Sequence, residues 1–233
     1  MLRTFWVVLV STLLVGRFPT IGVAQSQLAS ASLSVSTAKE TLLVGEALKL
    51  SLRLTNPTAT TLILRQSFSP ESGALGVSLI RADGTSRSVA GPGWGVEDSF
   101  GGTITLAPGA TRERELSVLF NSLATVDAGG REFLVLSAPG VYKVVVEMSS
   151  PTGSEAIESN QLAITVLEPT GIDKEVFDQI ANPAASFFLE TAVLLDPQEE
   201  GTVVGRMQNL LTTYPSSAYS ESIRVALERY SRR

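Results

Sequence analysis

The chain has 233 residues, enough for one sizeable domain and a smaller unit. A hydrophobic fraction of 44% supports a buried core. With no histidine and no cysteine, a Ser-His-Asp triad, thiolate chemistry, disulfide staples and the usual zinc sites are excluded, and the acidic net charge of −5 disfavours nucleic acid.

The N-terminus reads as a secretory signal. Arg3 is the only charge in residues 1–15, an apolar run extends from Phe5 to Val10 and resumes at Leu13, and Gly22-Val23-Ala24 offers small residues for cleavage. The run is broken at Gly16-Arg17-Phe18-Pro19, so it is short for a membrane anchor. The expectation is a signal over 1–24, an extracytoplasmic protein (periplasmic or secreted) and no membrane span after cleavage. Loss of Arg3 and Arg17 takes the net charge from −5 to −7. Residues 25–32 read as a flexible leader.

Over 33–168, period-two alternation dominates. Leu33 and Val35 begin it. Leu48, Leu50, Leu52 and Leu54 alternate with Lys49, Ser51 and Arg53 before Asn56-Pro57. Further strands are expected at Leu62–Leu64, at Val77 and Leu79 before the Ala82-Asp83-Gly84 turn, and at Ile104 and Leu106. Leu116, Val118 and Phe120 mark the next. Tyr142, Val144, Val146 and Met148 follow, then Leu162, Ile164 and Val166. About eight strands separated by turn signals predict a mostly-β antiparallel sandwich. Arg112-Glu113-Arg114-Glu115 reads as an exposed strand edge whose charges discourage aggregation.

The pattern changes at Glu168-Pro169-Thr170-Gly171, and 169–233 is expected to form a C-terminal helical tail. One helix is predicted over Ile172–Ala181, ending near Asn182-Pro183. A second starts at Pro197 with Val203, Met207, Leu210 and Leu211 on one stripe. The last is capped by Ser216 or Ser217 and carries Tyr219, Ile223, Ala226, Leu227 and Tyr230 on its apolar face.

The most unusual segment is the loop 91–102. Trp94, Glu97, Asp98 and Phe100 stand there among glycines, and Trp94 is the only tryptophan after the signal. They are the candidate ligand or partner residues: an aromatic platform with acids nearby could hold a sugar face or a peptide. The alternative is a connection whose aromatics plug the end of the sandwich. Two adjacent acids do not supply the six to eight oxygens of a calcium site. Tyr142 follows a strand corner, where its hydroxyl can reach back to a backbone carbonyl in a structural role.

Two resemblances rest on these residues. Val44-Gly45-Glu46, Leu106-Ala107-Pro108-Gly109 and Ala138-Pro139-Gly140-Val141-Tyr142 make residues 33–168 resemble bacterial immunoglobulin-like export domains. In pattern the segment is similar to the intracellular proteinase inhibitor family of Bacillus-type bacteria. Leu210-Leu211 and Tyr214-Pro215-Ser216-Ser217-Ala218-Tyr219 resemble one tetratricopeptide helix pair. The first resemblance implies an immunoglobulin-like sandwich. The second implies a solitary unit that packs on the sandwich, on a partner or on a second copy.

No catalytic residue, cofactor or metal site is expected. The reading is a non-catalytic protein-interaction module of the cell envelope, with a protein partner or self-association through the helical tail. A carbohydrate or cell-wall binding module using the Trp94 loop is the alternative, and a proteinase inhibitor, suggested by family resemblance, is a third.

Overall fold

The computed structural model describes residues 27–64, 67–95, 102–124, 130–150 and 153–233. The signal segment 1–24 lies outside them. The described residues hold eleven strands: β1 (Ser32–Ser36), β2 (Thr41–Leu43), β3 (Leu48–Thr55), β4 (Leu62–Leu64), β5 (Leu75–Arg81), β6 (Ser86–Val89), β7 (Ile104–Leu106), β8 (Thr111–Val118), β9 (Gly140–Ser149), β10 (Ala156–Glu158) and β11 (Leu162–Leu167). Four α-helices follow: α1 (Gly171–Ile180), α2 (Pro183–Thr191), α3 (Glu200–Thr213) and α4 (Ser220–Ser231).

The strands form three sheets. The first has the order β1-β3-β8, the second β2-β11-β9-β5-β6 with β10 also on β9, and the third pairs β4 with β7. Alternation in sequence becomes alternation of faces. In β3, Leu48, Leu50, Leu52 and Leu54 are buried, while Lys49 and Arg53 are exposed.

The expectation of a mostly-β immunoglobulin-like sandwich with a helical tail is overturned. Strand accounts for 32% and helix for 27% of the described residues, and the second sheet is mixed, with β2 running parallel to β11. The helices are not an appendage. Val176, Phe177, Ile180, Phe188, Met207, Leu210, Tyr219 and Ile223 belong to the same buried core as the strands. The physical reason is that the amphipathic stripes of α1–α4 have an apolar surface of their own chain to cover. Burying each large side chain stabilises the fold by about 1.5–3 kcal/mol.

The turn before β3 shows how the helices are attached. Gly45 has φ +76, and a Cβ there would stand 2.6 Å from Cε2 of Phe177. Only glycine allows both the left-handed turn and the close approach of α1. The Tyr219 hydroxyl donates to the Val44 carbonyl at 2.6 Å, and its ring stacks on Phe177 with centroids 6.1 Å apart. Asp173 accepts from Ser217 Oγ and from the Ala218 N–H, both at 2.8 Å, tying α1 to the turn before α4.

Helix α2 was not expected. Asn182-Pro183 reads as a stop in sequence, but it also starts a helix. Asn182 Oδ1 accepts from the Ala185 N–H at 2.9 Å, and Pro183 occupies the first turn, where its missing N–H costs nothing. Leu28, within the segment read as a leader, is fully buried in a 3-10 turn (Leu28–Ser30).

Candidate functional site

Of the loop residues singled out in sequence, Glu97, Asp98 and Phe100 lie outside the described residues. Trp94 is half-buried and packs against the core. It sits in a turn where its own N–H bonds the Gly91 carbonyl at 3.2 Å and the Gly95 N–H bonds the Pro70 carbonyl at 3.0 Å. The indole Nε1 lies 2.7 Å from the place a Gly91 Cβ would take, so the ring folds back over its own turn. One side of it lines a groove of about 280 Å³ with Ser78, Ser88, Leu123 and Glu147.

Tyr142 is buried on β9. Its hydroxyl donates to the Ala138 carbonyl at 2.7 Å and accepts from Arg81 Nη2 at 3.3 Å, with the guanidinium 5.6 Å from the ring centroid. Arg87 reaches beside it to the Leu134 and Val135 carbonyls, which pins the 132–137 segment to β6. These contacts are structural ties. They do not converge with Trp94 on one pocket.

A different place gathers charge, concavity and free backbone. A cleft of about 450 Å³ opens where the first sheet meets α2 and α4, lined by Lys49, Glu115, Ser117, Leu119, Leu189, Glu190, Val225 and Arg229. Glu190 is its central residue. Helix α2 carries it under the end of β8, where Oε2 accepts from the Leu119 N–H at 2.7 Å. Burial pushes its carboxyl up to about 7, outweighing the hydrogen bonds from the Leu119 and Phe120 backbone and the charge of Arg229. A carboxyl so raised marks a candidate site. Its sequence signal was an acid closing the apolar run Phe187-Phe188-Leu189, and it was missed because α2 itself was missed.

Strand β8 forms one edge of the first sheet. Its register with β3 (Leu48↔Val118 to Thr55↔Thr111) continues to Asn56, whose N–H bonds the Ala110 carbonyl at 3.0 Å. In an antiparallel ladder, hydrogen-bonded and non-bonded pairs alternate. The even positions of β8 therefore turn their backbone groups to β3. Thr111, Glu113, Glu115 and Ser117 turn theirs outward.

Some other exposed backbone positions of the sheets are covered by side chains, though among the described residues Leu33 of β1 and Ser86 and Ser88 of β6 are not. Asn160 both donates to and accepts from the backbone of Val35 on β1, at 3.0 and 2.8 Å. Gln27 accepts from Ile63 of β4, and Asn121 accepts from Ala90 just beyond β6. Glu190 does the same for Leu119 at the end of β8. Among the described residues, no such bond reaches the outward backbone of Thr111, Glu113, Glu115 or Ser117. Beside this open stretch, a depression of about 550 Å³ lies on the solvent face of the sheet, bounded by Ser34, Ser51, Arg53, Glu113 and Glu115.

No family model and no curated protein matches the chain. Solved structures with partial likeness include a β-glucosidase from Listeria innocua in complex with gluconolactone, at 15% identity and a TM-score of 0.33 over 58% of this chain and 16% of that one. They also include the Pseudomonas fluorescens alkylpurine DNA glycosylase AlkC bound to DNA, at 11% identity and a TM-score of 0.32, over 59% of this chain and 30% of that one. The sporulation control protein Spo0M from Bacillus subtilis aligns at 14% identity and a TM-score of 0.33, over 65% of this chain and 54% of that one. The chain spans about a sixth of the β-glucosidase. Likeness of this degree carries no argument about activity.

Proposed function

We propose that this chain is a non-catalytic protein-interaction module that works outside the cytoplasm and takes an extended segment of its partner along the outer edge of β8. The observation that carries the reading is the row of outward backbone groups at Thr111, Glu113, Glu115 and Ser117 with no hydrogen bond among the described residues, beside the Glu190 cleft. An added strand supplies the missing partners, and its side chains find the two depressions flanking the edge. The sequence supports the setting: residues 1–24 read as a secretory signal, and the chain offers neither histidine nor cysteine for catalysis.

The test is a pull-down from envelope extract with the wild type and Ser117→Pro. Proline at an outward edge position removes one docking N–H without breaking a bond to β3. The variant is expected to fold and to lose the partner. Equal recovery by both proteins sinks the reading.

A second reading rests on the groove beside Trp94. An aromatic ring with Ser78, Ser88 and Glu147 around it suits a sugar. It requires that Trp94→Ala abolish glycan binding by the wild type on an array. No binding by the wild type ends it.

A further inference from the structure

We infer that the β8 edge takes an antiparallel strand from a different protein, basic at alternate positions, and turns away a second copy of this chain. The inference rests on that edge being the docking site. It follows from register and charge.

Because the outward backbone groups sit at odd positions, each odd residue of β8 stands opposite a residue whose backbone also faces the seam. In antiparallel addition of a second copy, that residue is again odd. Thr111, Glu113, Glu115 and Ser117 can therefore meet only one another on the solvent face. The registers with the most overlap place Glu113 against Glu115, Glu113 against itself or Glu115 against itself. The even side chains meet in the same way, so in the first two of these registers Arg114 falls opposite itself or opposite Arg112. Like charges directly across a strand pair are destabilising, and parallel addition is the weaker pairing.

A heterologous strand escapes this. Glu113 is engaged from one side by Arg53, at 2.6 Å, and Glu115 accepts from Ser51 Oγ at 2.9 Å and forms no ion pair among the described residues. Both carboxylates are exposed and can take a second partner from the open side. A strand with lysine or arginine at every second residue sets cations opposite Glu113 and Glu115. The same alternation that blocks self-pairing thus selects the partner.

The experiment uses the full chain and two labelled peptides, Thr-Lys-Val-Lys-Val-Lys-Thr and Thr-Glu-Val-Glu-Val-Glu-Thr, read by fluorescence anisotropy at low salt. The wild type is expected to favour the lysine peptide by about tenfold. The double variant Glu113→Lys/Glu115→Lys is expected to reverse the preference, and Ser117→Pro to abolish binding of either peptide. Lysine-peptide binding that survives Ser117→Pro, or a preference unchanged by the double variant, overturns the inference, because attraction to the acidic protein as a whole would explain it. So does a wild-type dimer in sedimentation that Ser117→Pro dissociates. If neither peptide binds but the extract partner is still lost in Ser117→Pro, the partner chemistry is wrong while the docking edge stands. If the pull-down is also unaffected, both fail.

Discussion

Glu190→Gln is the perturbation whose size the structure fixes best. Burial under the end of β8 raises the carboxyl from 4.5 to about 7, so the folded protein holds this proton more tightly than the unfolded chain. The stability tied to it is fully present below pH 4.5 and is lost as pH rises through 7. A difference of that size corresponds to about 3.4 kcal/mol in the high-pH limit, of which about 2.5 kcal/mol falls between pH 5 and pH 8. Glutamine is neutral throughout and keeps an oxygen for the Leu119 N–H. Its amide group facing the Phe120 N–H adds an offset that does not depend on pH and cancels in a comparison of slopes. Urea unfolding at pH 5 and pH 8, followed by circular dichroism, gives the comparison. The wild type is expected to lose about 2.5 kcal/mol more than the variant over that interval. Parallel profiles would refute the argument that Glu190 is buried against its charged form.

Three further substitutions probe how the helices are held. Gly45→Ala forces a Cβ toward Phe177 and strains a left-handed turn, so it is expected to destabilise by about 2–4 kcal/mol in urea unfolding. A cost under half a kcal/mol would mean that α1 does not press on the turn. Tyr219→Phe leaves the buried Val44 carbonyl without its donor and is expected to cost about 1–3 kcal/mol while the ring still packs on Phe177. No change in the midpoint counts against that bond. Asn182→Ala removes the cap of α2 and is expected to cost about 1 kcal/mol, with faster amide exchange confined to Pro183–Thr191. Protection that is unchanged there would show that packing alone starts the helix.

The strands that were legible in the sequence are those with one wet face. Leu48 to Leu54 and Tyr142 to Met148 alternate because one side of each strand is buried and the other, apart from Val145, is at least partly exposed. The short strands β2, β6 and β10 bury at most one residue each, so no apolar alternation registers, whereas the equally short β4 and β7 bury two residues about an exposed one. Helix α2 was hidden by a dipeptide that ends one helix and starts the next. The edge of β8 was legible as charge, at Arg112 to Glu115, but not as a place to dock. Which backbone groups point outward depends on one hydrogen bond between Asn56 and Ala110, far apart in the chain.

By itself the sequence determined the alternating strands, the switch to helical spacing after Glu168, the acidity and the lack of histidine and cysteine, because these are local or compositional properties. Only the tertiary structure decided that the helices share the strands' core, that β2 runs parallel to β11, and that Glu190 comes under β8. Those depend on which distant surfaces bury each other. Pairing between segments more than a hundred residues apart leaves no period in the chain to read.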